Sequence, residues 1–212
     1  MPAPEYRFRT QWRVAGTVEE VAGVLADTRE LARWWPSVYL EVEELEPGGE
    51  DGVGKRARLH TKGWLPYTLD WELRVVESRH PNGFTIEATG DLSGRGVWTL
   101  EPSGAWTLVT YDWRVRAERP LLKALSPLFR PLLAATHRWA MRKGEGSLAL
   151  ELARRRAATP AERARIPAPP GPAGPSALVV IGTGAALGLA AYGLLRLLAP
   201  PRCRRGRRLR WR

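Results

Sequence analysis

A chain of 212 residues has room for one domain of ordinary size and an appendage. Its net charge of +11 suggests nucleic acid or a membrane until the charge is located: residues 202–212 hold seven arginines and no acid, Arg196 is an eighth, and the rest carries only +3. A nearly balanced body lacks the second basic surface that a nucleic-acid partner needs, and the lone Cys203 excludes an internal disulfide and a cysteine-based metal site.

Tyr6, Phe8, Thr10, Trp12 and Val14 alternate with Arg7, Arg9, Gln11 and Arg13, the two-residue period of a strand with one dry face. No apolar leader precedes them, so no secretory signal is expected and the folded part is expected in the cytoplasm. Thr17 with Glu20 three residues on is a capping box, and Val18, Val21, Val24 and Leu25 make one face of a short helix. A second short helix is expected over Thr28–Arg33, ended by Trp34, Trp35 and Pro36 because the residue before a proline avoids the α region. From Val38 the alternation resumes, with breaks at 47–54, 63–66, 80–83, 90–94 and 102–104. These define six more strands near 38–45, 55–62, 67–78, 84–89, 95–101 and 106–117, and the short turns favour antiparallel neighbours.

Pro120 to Arg156 reads as a long helix with a stripe of Leu121, Leu125, Phe129, Leu132, Thr136, Trp139 and Ala140. Pro131 should kink or restart it. Gly144 and Gly146 each cost about 1 kcal/mol relative to Ala inside a helix, so they mark a break or admit a close neighbour. Residues 157–176 lose all periodicity and, with Pro167, Pro169, Pro170, Pro172 and Pro175, read as a stiff extended linker. Ala177 to Leu195 is then uncharged for nineteen residues, which as a helix is about 28 Å against a hydrocarbon core of about 30 Å. The expected division is a domain over 1–156, a linker over 157–176, a membrane-spanning helix over 177–199 and an arginine-rich tail over 200–212.

Sorting strand residues by parity gives one face with Tyr67, Leu69, Trp71, Leu73, Phe84, Ile86, Ala88, Trp98, Tyr111 and Trp113, and another with Asp70, Glu72, Arg74, Glu87, Asp112, Arg114 and Arg116. Almost every titratable group points away from the helix. General acid–base chemistry needs a tuned carboxylate or histidine inside the pocket, and the inner face offers only hydroxyls, indole N–H groups and, from the helix, His137. The bland reading of His137 is a helix-surface or hydrogen-bonded histidine. Trp64 and Leu65, apolar in a tight turn, lie at a cavity mouth, dip into a membrane surface or are simply buried.

The order strand, two short helices, six strands and a long closing helix, with Trp34-Trp35-Pro36 after the second helix, resembles the START-like or SRPBCC superfamily, the polyketide cyclase/dehydrase and lipid-transport group. The runs Tyr111-Asp112-Trp113-Arg114-Val115 and His137-Arg138-Trp139-Ala140-Met141-Arg142-Lys143-Gly144 are similar to it as well. The resemblance implies an α+β helix-grip fold, a seven-stranded antiparallel sheet wrapped round the long helix, and a deep apolar cavity for a lipid, polyketide, sterol or quinone. The expected lining is Trp12, Tyr67, Leu69, Trp71, Leu73, Phe84, Ile86, Ala88, Trp98, Tyr111 and Trp113 from the sheet and Phe129, Leu133, Thr136 and Trp139 from the helix.

The favoured expectation is non-catalytic binding, and transfer, of a hydrophobic small molecule or lipid by a membrane-tethered domain, with no cofactor, metal or nucleic-acid partner. One alternative is a cyclase or aromatase-like enzyme in which Tyr67, Tyr111 or His137 polarises a carbonyl. The other is a solid-cored scaffold whose task is membrane association alone.

Overall fold

The computed structural model describes residues 5–65, 67–118 and 126–174, which fall within one unit, Met1–Gly174. The spanning helix and arginine tail expected over 177–212 lie outside the described residues, as does the side chain of Phe129. Among the described residues no helix is long and apolar enough to cross a membrane.

Seven strands, β1 (Glu5–Ala15), β2 (Tyr39–Glu46), β3 (Arg56–Lys62), β4 (Thr68–Ser78), β5 (Gly83–Gly90), β6 (Leu92–Ser103) and β7 (Trp106–Ala117), form one antiparallel sheet. Their order is β1-β7-β6-β5-β4-β3-β2, so the chain crosses from one edge to the other after β1 and then returns strand by strand. The crossing is made by α1 (Val18–Leu25), a 3₁₀ turn (Thr28–Glu30) and α2 (Leu31–Trp34). The Thr17–Glu20 capping box is formed in both directions: Glu20 N–H donates to Thr17 Oγ1 at 3.3 Å and Thr17 N–H donates to Glu20 Oε2 at 2.9 Å. Register carries the parity rule across strands, with Phe8 facing Trp113 and Thr10 facing Tyr111 on the concave side, and Arg7 facing Arg114 on the convex side.

β6 begins at Leu92, earlier than the Gly90–Gly94 break suggests. The glycines there serve the packing. A side chain at Gly94 would meet the Arg114 carbonyl, and one at Gly96 would meet the Tyr111 and Trp113 rings, so Gly96 lets both rings lie across the strand.

The closing helix α3 (Ser126–Arg156) runs through Pro131 without a break. Pro131 lies in the second turn, where only one intrahelical bond is forgone. Gly144 resolves to the close-neighbour alternative, because a Cβ there would overlap the indole of Trp35, itself 3% exposed. Gly146 has nothing within 4 Å of the position a Cβ would take. Glu151, 1% exposed, accepts from Arg33 Nη1 and Nη2 at 2.9 and 2.7 Å and from Arg155 Nε at 2.9 Å, tying α2 to α3. Burial pushes the Glu151 carboxyl up, and the two guanidinium groups more than offset it, leaving it below its ordinary value.

Part of the stretch expected to be a stiff extended linker is helical. Thr159 and Glu162 form a second capping box and start α4 (Pro160–Arg165), with Pro160 at the first helical position. Beyond it the Arg154 guanidinium donates to the Pro167 carbonyl and Lys62 Nζ to the Ala173 carbonyl at 3.1 Å. The proline segment therefore lies back on the domain.

Candidate functional site

Between the concave sheet face and α3 lies a cavity of about 270 Å³. Tyr67, Leu69, Trp71, Leu73, Phe84, Ile86, Trp98, Tyr111 and Trp113 line it from the sheet, and Leu133 and Thr136 from the helix. Polar side chains in its lining include Thr28, Asp51, Lys55, Lys62, His80 and Thr136. The wall is mostly carbon, as a site for an apolar small molecule requires.

Three expected lining residues stand elsewhere. Trp12 is 2% exposed and packs edge-on to Trp35 at 5.7 Å and tilted against Trp98 at 5.5 Å, so it is core beneath the end of α2. Ala88, 3% exposed, sits between Leu73 and Gly94 in the sheet and is not part of the lining. Trp139 is half-buried beside the lining face. That face is Leu133, Thr136, His137, Ala140 and Met141, with the i, i+3, i+4, i+7, i+8 spacing of one helical stripe. It is turned by about one position from the stripe expected through Leu132 and Trp139.

Polar groups in the cavity are few and mostly neutral. Trp71 Nε1 donates to Thr61 Oγ1 at 3.0 Å, and that hydroxyl donates to the Leu69 carbonyl at 3.2 Å. Tyr39 and Tyr111 both line the cavity, and neither phenol has a hydrogen-bond partner among the described residues. Burial raises both phenols above their ordinary value, with Tyr39 adding to the effect on Tyr111, so both stay O–H donors. Tyr39 escapes the parity reading because the register shifts between Tyr39 and Glu41. His137 stacks on Phe8 at 4.4 Å and 16° and shares a 3.3 Å hydrogen bond with Thr10 Oγ1. Burial, with Arg138 beside it, pushes the imidazole down to about 4, so it is uncharged near neutrality. Among the described residues no group of three or more His, Cys, Asp or Glu is placed to hold a metal ion.

The family model for polyketide cyclase/dehydrase and lipid transport matches residues 6–153. Comparison with curated proteins gives no match. Among solved structures, the Zhui aromatase/cyclase of Streptomyces sp. R1128 aligns with a TM-score of 0.58 at 21% identity, covering 73% of this chain and 98% of its own. TTHA0849 of Thermus thermophilus gives 0.57 at 17% identity, covering 73% and 100%. The di-domain aromatase/cyclase BexL gives 0.52 at 17% identity, covering 68% of this chain and 49% of its own. At these identities the neighbours establish the helix-grip fold alone. The family match spans most of the chain and coincides with β1 through nearly all of α3, so this chain belongs to the polyketide cyclase/dehydrase and lipid transport family.

Proposed function

We propose that the domain binds a hydrophobic small molecule or lipid in the cavity between sheet and α3, without catalysing its conversion, and that residues 177–199 tether it to a membrane. The observation that carries the binding reading is a largely carbon-lined cavity into which two phenols project without a partner among the described residues. A hydrocarbon would leave those donors unused, so the preferred ligand has an acceptor oxygen within an apolar frame. The tether is supported by the nineteen uncharged residues from Ala177 and the arginines that follow.

The test is uptake of an environment-sensitive apolar dye by the full chain, before and after Leu133→Trp, which fills the cavity from α3. Binding that the substitution removes is the expected result, and a saturating ligand at about 100 times its Kd should stabilise the fold by about 2.7 kcal/mol. A parent chain that takes up no apolar probe and shows no thermal shift would leave the scaffold reading in place.

The same phenols favour a second reading, a cyclase-like enzyme in which Tyr39 and Tyr111 polarise a substrate carbonyl and neutral His137 moves a proton. The two readings part on turnover. Incubation with a linear poly-β-ketone mimic gives unchanged compound if the protein only binds, and a cyclised product lost in the Tyr111→Phe variant if it catalyses.

A further inference from the structure

The proline segment ends beside the last residue of β3. Lys62 Nζ donates to the Ala173 carbonyl at 3.1 Å, and the uncharged run begins four residues later, at Ala177. Four residues of fully extended chain span at most about 14 Å. Pro172 and Pro175 flank this exit and stiffen it. A membrane that holds the run therefore lies close to the end of β3.

That end of the sheet carries apolar side chains. Trp64 and Leu65 follow β3 and are half-buried. Leu40 is at the same end: Lys62 N–H donates to the Val38 carbonyl at 2.8 Å and Tyr39 pairs with Thr61, which sets the start of β2 against the end of β3. Among the described residues the exposed large hydrophobic side chains are Leu40, at 36%, and Trp106, at 39%. Trp106 stands at the opposite end of the strands, with the Arg13 guanidinium over its ring at 4.9 Å. Carboxylates are present near Leu40 as well, because Glu41 and Asp70 flank His60 across the strands. They oppose an anionic leaflet, so contact at this end falls to the apolar side chains and charge attraction to the tail arginines.

We propose that this end of the sheet is the face that the domain lays on a lipid bilayer, with Leu40, Trp64 and Leu65 entering the headgroup layer around Lys62. This rests on the tether reading above and adds to it the surface that meets the membrane. Tryptophan suits that depth because its ring is apolar and its indole N–H polar, and leucine beside it gains from leaving water. Three side chains are too few to hold a free domain, so the patch orients one that the tether has brought to the surface. Lys62 and Gly63 also line the cavity, so the docked face forms one of its walls.

The experiment uses the full chain with Cys203→Ser and one new cysteine: Leu40→Cys, Leu65→Cys or, exposed at the opposite end, Ser103→Cys. Each carries an environment-sensitive fluorophore and is mixed with phosphatidylcholine–phosphatidylserine vesicles. Labels at positions 40 and 65 should brighten and become protected from an aqueous quencher, while the label at 103 stays as in buffer. Positions 40 and 103 are both exposed and decide the matter if the Leu65 variant melts early. Leu40→Ser in the unlabelled chain should weaken vesicle binding about threefold. A chain that sediments with vesicles while the labels at 40 and 103 respond alike, or with only the label at 103 shielded, overturns the docked face and leaves the tether standing. A chain that does not sediment overturns the tether reading and this proposal with it. Brightening at position 40 without vesicles, growing with protein concentration, makes the patch a contact between copies of the chain and overturns the membrane assignment.

Discussion

Tyr111 owes its position to Gly96, whose missing side chain leaves room for the ring, and its stacking to Trp98 at 4.0 Å and Trp113 at 5.7 Å. Packing therefore holds the ring while the hydroxyl is spared for a ligand. Tyr111→Phe should leave the melting temperature nearly unchanged and weaken an oxygen-bearing ligand by up to about tenfold, since one net hydrogen bond contributes about 1 kcal/mol; a pure hydrocarbon should bind as before. Calorimetric titration of a matched ketone and alkane checks this, and equal loss for both would show that the hydroxyl does not meet the ligand. His137 makes a prediction in pH. Its folded value lies below the ordinary one, so the unfolded chain takes up the proton first; its contribution is complete above about pH 6.5, declines as the pH falls and stops declining near pH 4. Allowing for its partial exposure, the parent should lose about 1–2 kcal/mol more than His137→Gln over that window in urea unfolding. Parallel curves would place the imidazole in water.

At the scale of elements, α3 carries two glycines with opposite consequences. Gly144→Ala forces a methyl against Trp35, which is already enclosed by Trp12, Trp34 and Tyr39, and should destabilise by about 1–3 kcal/mol despite the better helix former. Gly146→Ala meets nothing and should stabilise by up to about 1 kcal/mol. Thermal melts of the two variants compare them directly, and a stable Gly144→Ala would mean that Trp35 can withdraw. The pair also marks the limit of what the chain discloses by itself. Capping at Thr17 and the alternation of β1 and β4 are local facts, legible because the residues that satisfy them are close in sequence. The lining from Tyr67 to Leu73 follows from the same two-residue period. Gly144, Trp12 and the rotation of the α3 stripe depend instead on what packs opposite, and α2 reaches that place as part of the connection that crosses the sheet from β1 to β2. A register shift hides Tyr39, and the prolines around the Thr159–Glu162 box hide α4.

For the whole molecule the question is where the domain stops. The family match ends at 153, yet Arg154 and Lys62 hold Pro167 and Ala173 against the body, so the structural limit falls later, at Gly174. A chain ending at Gly174 should keep its melting temperature within a few degrees and its dye binding unaltered, because it retains every contact described above. The full chain should sediment with anionic vesicles and the truncated one should not, since the uncharged run and the tail arginines are what it lacks. If the proposed tether holds, ends on one side of the membrane require it to lie in the interface, and ends on opposite sides require a single crossing. Protease protection of tags at both ends in sealed cells separates the two arrangements. An insoluble or unfolded truncation would show that the division at Gly174 is misplaced. A full chain that stays in solution beside vesicles would remove the tether while leaving the cavity, measured by dye uptake, untouched.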